Sequence, residues 1–105
     1  MDFFSYRMFF SSFVLDLEDG EKMTISEYEI LKARVLARGW KFNNFTAYLL
    51  ETNRNPSIVA YCLGISRSTA YYWLTQKELS GVVNFFFLIA RKLRTERNID
   101  ILDLV

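Results

Sequence analysis

The chain has no histidine, one cysteine, one proline and four glycines among its 105 residues. Without histidine it lacks the commonest general base and the commonest metal ligand. A lone cysteine, Cys62, excludes an intrachain disulfide and fits a reducing compartment, so a cytoplasmic location is expected. With no histidine to activate it, Cys62 reads as a small, partly buried apolar residue rather than a nucleophile. No zinc-ligand cluster, phosphate-cradling glycine loop or nucleophile–base pair can be read, and Asp16 and Asp19 fall in what reads as a solvated turn. The sequence therefore predicts neither an enzyme nor a cofactor.

Long apolar runs are missing too. The most apolar stretch, Val82 to Ala90 (VVNFFFLIA), is interrupted by Asn84 and is far short of the roughly 18 residues a membrane span needs. The opening MDFFSYRMFFSSFVL has Asp2 where a signal peptide carries basic residues, Arg7 within the apolar stretch, and no small-x-small cleavage site before Asp16. It is read as mature protein, and no membrane partner is expected.

What the chain does have is aromatic side chains and an uneven charge. Ten Phe, six Tyr and two Trp supply large buried areas, and about half of the residues are apolar, enough for one domain with a real core. The net charge of +1 conceals two regions. Residues 1–32 carry three basic side chains against seven acids; residues 33–99 carry ten against three, a balance of +7. No acid occurs between Arg54 and Lys77. A basic body behind an acidic front is a usual profile for a nucleic-acid binder.

Hydrophobic spacing then divides the chain. The stretch LDLEDGEKMTI reads as a β-hairpin with a loop at Asp19–Glu21, and a strand is expected from about Arg7 to Leu17. The competing pattern is helical, with Phe3, Tyr6, Phe10, Phe13 and Leu17 at intervals of three and four. Ser26 and Glu29 make a capping box for a helix closed by Gly39, with Tyr28, Leu31 and Val35 on one face. Further helices are expected at Phe42–Thr52, Pro56–Leu63, Arg67–Gln76, and from Leu79 or Val82 to Leu93. A final turn would be capped by Asn98. Residues 1–42 and 43–105 are treated as an N-terminal arm and a helical domain.

The most informative string is GISRSTAYYWL, Gly64 to Leu74. Two short helices crossing closely need a small residue where they touch, a glycine able to take φ > 0 in the turn, and apolar residues beyond it. Ala60, Gly64 and Ile65 meet the first needs. Ala70, Trp73 and Leu74 form an inward stripe, joined by Val59 and Leu63. The opposite strip carries Arg67, Ser68, Tyr71, Tyr72 and Thr75. Arginine can donate two bonds to guanine or clamp a phosphate, hydroxyls can bond base edges or phosphate oxygens, and tyrosines can meet thymine methyls.

IVAYCLGISRSTAYYWL resembles the helix-turn-helix of the lambda-repressor-like (Cro/C1, XRE-type) family, and FFFLIARKL and NIDILDLV resemble that family's later helices. The likeness covers about Asn43 to Val105. It implies a mainly α, five-helix DNA-binding domain, here preceded by an extra helix and an N-terminal strand or β-hairpin. It also implies a transcriptional repressor acting as a homodimer on double-stranded DNA. Carried over, it places Ser66, Arg67, Ser68, Tyr71 and Tyr72 at base- or backbone-contacting positions, with Asn55 or Ser57 replacing the family's usual glutamine. Thr75 and Lys77 complete the expected DNA-binding set. Ala70 stands where Val or Ile is usual, and Arg54 where an apolar residue is common.

Three features stay open on sequence alone. Arg91, Lys92, Arg94 and Arg97 read equally as phosphate clamps and as the solvated end of a helix. Val82, Phe85 and Ile89 form a second apolar stripe beside the core-facing one. The aromatic N-terminal segment serves either dimerisation or as a cover over Trp40 and Phe42. The alternative function is a protein-interaction module, inhibitor- or antitoxin-like, that uses the same scaffold to bind a protein partner.

Overall fold

The computed structural model describes residues 25–104; helices are the regular elements among them, and no strand occurs among these residues. The expected strand or hairpin near Arg7–Leu17 lies outside the described residues. Five α-helices follow in order: α1 Ile25–Ala37, α2 Asn44–Thr52, α3 Pro56–Leu63, α4 Arg67–Trp73 and α5 Gly81–Arg97, with a closing 3₁₀ turn at Ile101–Leu104. The chain divides into two compact units between Ile30 and Leu31, within α1. None of the helices is long and apolar enough to cross a membrane.

Ser26 lies within α1 and is therefore not its N-cap. In the second unit α1 buries Leu31 and Val35 and ends at Gly39, whose φ of 81° is the left-handed cap conformation expected there. Asn43 then starts α2. Its side chain accepts from the Thr46 N–H at 2.9 Å, while Thr46 Oγ1 accepts from the Asn43 N–H at 2.9 Å. This reciprocal pair explains why the helix starts after Asn43 and not at Phe42.

The core draws on every element of the 44–104 region. α2 supplies Phe45, Tyr48 and Leu49; α3 supplies Val59 and Ala60; α4 supplies Ala70, with Leu74 just past its end; α5 supplies Phe87 and Ala90; the last turn adds Leu102. Phe87 sits among rings, with centroids 4.8 Å from Phe45, 5.6 Å from Tyr48 and 5.7 Å from Trp73. Several contacts are edge-on or tilted, the arrangement that brings a ring's positive edge to a neighbour's negative face. Each such side chain contributes roughly 2–3 kcal/mol by leaving water. Cys62 is half-buried and packs against this core.

Two polar networks tie the helices together. Arg91 of α5 is buried, at 6% exposure, and donates through Nε and Nη2 to both carboxylate oxygens of Glu51 at 3.0 and 2.9 Å. Its third bond goes to Asn44 Oδ1 at 2.6 Å, and Arg94 donates to the Glu51 carbonyl at 3.0 Å. Arg91 and Arg94 are therefore neither free phosphate clamps nor a solvated helix end. Their guanidinium forks hold α2 to α5. Lys92 pairs with Glu96 one turn on, and Arg97 is exposed.

The second network lies at the C-terminal end. Asn98 adopts φ 56° and caps the C-terminus of α5, which runs on to Arg97 rather than stopping at Leu93. It does not cap the final turn. That role falls to Asp100, whose Oδ1 accepts from the Leu102 N–H at 3.1 Å and from the Tyr48 hydroxyl at 2.6 Å. Its other oxygen accepts from Arg54. Arg54, at a position where the family likeness leads one to expect an apolar residue, thus serves as the cation that anchors the tail.

Burial acts to raise the Asp100 carboxyl, but the hydrogen bonds from Tyr48 and Arg54 outweigh it and hold Asp100 below its ordinary value. The Tyr48 hydroxyl moves up, chiefly through burial and then through its bond to the Asp100 carboxylate.

Candidate nucleic-acid interface

α3 and α4 pack on each other through small residues: Val59, Ala60 and Ala70 are each no more than 1% exposed. Pro56 sits in the first turn of α3, where its missing N–H is no loss, and Asn55 caps that turn by accepting from the Ile58 N–H at 2.9 Å. Gly64 ends α3 at φ 72°, with no neighbouring atom within 4 Å of where a Cβ would lie. Glycine is needed there for its backbone, not for space. Ile65 then turns inward, its N–H bonded to the Ala60 carbonyl at 3.1 Å.

Ser66 opens α4. Its Oγ accepts from the Thr69 N–H at 3.1 Å and lies 2.9 Å from Thr69 Oγ1, so this hydroxyl is occupied in capping. Beyond it, Arg67 and Ser68 are exposed in the first turn. Tyr71 and Tyr72 are 46% and 61% exposed, so neither is a core residue. The Tyr71 hydroxyl lies 3.2 Å from Ser57 Oγ, linking the outward sides of the two helices. Asn55, Ser57, Arg67, Ser68, Tyr71 and Tyr72 therefore all belong to this helix pair.

The far end of the strip differs from expectation. α4 stops at Trp73, three residues short of Gln76, because Asn43 Nδ2 donates to the carbonyls of both Trp73 (2.9 Å) and Gln76 (2.7 Å). The Lys41 N–H takes the Leu74 carbonyl at 2.8 Å. The carbonyls left over at the end of α4 are thereby bonded to the segment before α2, and the Gln76 N–H reaches only three residues back, to the Trp73 carbonyl at 3.4 Å, as in a turn. Thr75 consequently sits on a turn, its hydroxyl bonded to the Tyr72 carbonyl at 2.7 Å, and does not extend the helical strip. Lys77 is exposed beyond that turn and lines a separate cleft with Lys32 and Lys41.

Beyond the expected Asn55 and Ser57, the outward side of α3 carries Tyr61, which is 88% exposed, and Ile58 three residues before it, neither of them among the residues expected from the sequence. The i, i+3 spacing of two apolar residues off the core stripe was the available signal. Comparisons of the chain with protein-family models, curated proteins and solved structures find no match.

Proposed function

We propose that this protein is a sequence-specific DNA-binding regulator. α3 and α4 act as a helix-turn-helix of the lambda-repressor-like type, and α4 enters the major groove. The observation that carries the reading is the division of α4. Ala70, with Leu74 just past its end, is buried, while Arg67, Ser68, Tyr71 and Tyr72 remain exposed in a segment that holds no acid from Arg54 to Lys77. Core packing accounts for the first set and not for the second, in which Tyr71 is bonded to Ser57 across the outward side.

In that role Arg67 donates to a guanine edge or clamps a phosphate, Ser68 bonds a base edge or phosphate oxygen, and the tyrosines meet thymine methyls or sugar. Ser57 holds Tyr71 in place. One short helix supplies little affinity, so a homodimer spanning half-sites about 34 Å apart completes the model, with repression following from occupancy of the operator. Selection from random duplexes tests it. An enriched motif that Arg67→Ala fails to recover supports the reading; no enrichment removes it.

A second reading rests on Tyr61 and Ile58. These exposed apolar residues lie on the same helix pair, and a protein partner would bury them more readily than a charged duplex would. Tyr61→Ala separates the two: a protein-binding module loses its partner, whereas a DNA binder keeps its motif.

A further inference from the structure

The first half of α5 leaves an apolar face open. Val82 and Phe85, one turn apart, are 82% and 56% exposed, and Ile89, a turn further on, is half-buried. No charged side chain occurs from Leu79 to Ala90. Asn84, the amide in that stretch, accepts from Asn44 Nδ2 at 2.9 Å and is thereby engaged with α2. Phe87 and Ala90 belong to the core, with Val83 and Phe86 packed against it. Burial within the domain accounts for these residues and not for Val82 or Phe85.

Beside this face lies a hollow of about 200 Å³. Its walls are Leu63 at the end of α3, Trp73 at the end of α4, and Val82, Val83, Phe86 and Phe87 of α5. An apolar cavity of roughly 150 Å³ holds a benzene, so the hollow has room for one phenyl ring. Val82 lines it and also shares the exposed stripe with Phe85. A projecting ring and a ring-sized hollow therefore sit side by side on one surface. Such a surface is self-complementary, because under a two-fold rotation the ring of each copy enters the hollow of the other.

Charge narrows the occupant further. A two-fold contact brings each group close to its own counterpart, so a charge there would meet a like charge, and Leu79–Ala90 presents none. The same lack of cations gives a polyanion nothing to hold. We propose that this face of α5 joins two copies of the chain, with Phe85 of one protomer seated in the hollow of its partner. None of Arg67, Ser68, Tyr71 and Tyr72 lines the hollow, so the contact does not use the outward side of α4. It supplies the contact for the homodimer that the DNA reading calls for, yet it stands on α5 and is tested without DNA, so each can fail alone.

The test is sedimentation equilibrium of the full chain up to millimolar concentration, without DNA. The wild type should show a monomer–dimer equilibrium and no larger species, because a two-fold contact closes on itself. Phe85→Glu should weaken dimerisation by roughly thirtyfold or more, the loss expected of a central interface ring. Val82→Trp separates fit from stickiness. It adds apolar surface but crowds the mouth of the hollow, so it should weaken the dimer, whereas a merely adhesive patch would associate more tightly. Both side chains are exposed, so the variants should fold as the wild type does, which circular dichroism checks. Tyr61→Glu, on the exposed side of α3, and Arg67→Ala should dimerise like the wild type. Selection from random duplexes, done separately, reads the DNA claim. A wild type that stays monomeric, a dimer unaffected by Phe85→Glu, tighter association by Val82→Trp, an open series of larger species, or a dimer lost with Tyr61→Glu would each overturn the proposal.

Discussion

The side-chain amide of Asn43 donates to the backbone carbonyl of Trp73, 2.9 Å away and thirty positions along the chain. The same nitrogen reaches Gln76, while the amide oxygen caps α2. One buried side chain therefore starts one helix and ends another. Asn43→Ala removes the cap and leaves two carbonyls without this donor. The expected loss is about 2–3 kcal/mol of unfolding free energy, read from urea denaturation midpoints at an unchanged slope. Asn43→Asp keeps the cap but loses the donor, and should fall between the two.

Glu51 and Arg91 form the most buried ion pair among the described residues. Glu51→Ala leaves a guanidinium in the interior with only Asn44 for company, and should cost about 3–5 kcal/mol. Replacing both partners by apolar residues, Glu51→Leu with Arg91→Met, should cost far less than the two single changes added together. A double-mutant cycle by chemical denaturation measures the difference.

Asp100 makes stability depend on acid. Its folded-state value lies below that of the unfolded chain, so its contribution is complete above the ordinary carboxylate value of 3.8. That contribution fades as the pH falls through the lower, folded value. Tyr48 acts at the other extreme. Its folded value lies above the ordinary 10.0, so its contribution is complete below that and is lost as the pH climbs through the folded value. Denaturation midpoints measured against pH should therefore fall at both ends. Asp100→Asn should flatten the acid limb, and Tyr48→Phe the alkaline one.

Gly64→Ala isolates backbone strain from crowding. A Cβ there meets nothing within 4 Å, yet the φ of 72° is unfavourable for any residue with a side chain. A loss of about 1–2 kcal/mol is expected, with no change in the core. Gly64→Asn should cost less, since asparagine tolerates the left-handed region. Asn53 and Asn98 occupy it here at φ 56°.

The helix pair was legible in the sequence because its determinants are local. Ala60, Gly64, Ile65, Ala70 and Leu74 sit at spacings that only close helix packing requires, and each lies where those spacings put it. The boundaries were less legible because distant residues set them. α4 ends early through Asn43, and the α5 cluster around Arg91 turns inward because Glu51 waits forty positions earlier in the chain. Asparagine suits both an N-cap and a left-handed C-cap, so the sequence around Asn98 points equally to the final turn and to the end of α5, which it in fact caps. The acceptor that decides between them, Asp100, is fixed by Tyr48 and Arg54, far away in sequence.

If the outward face of α4 reads DNA, as proposed, specific affinity depends on Arg67. The most direct test is an equilibrium titration of the selected duplex with the wild-type protein and with Arg67→Ala, each across a salt series. Arg67 carries no structural bond among the described residues, so its variant should fold as the wild type does. The prediction is steep weakening with salt for the wild type, and a loss of about 1–3 kcal/mol in specific affinity for Arg67→Ala. Equal affinities for the two proteins, or binding indifferent to both salt and sequence, would contradict it.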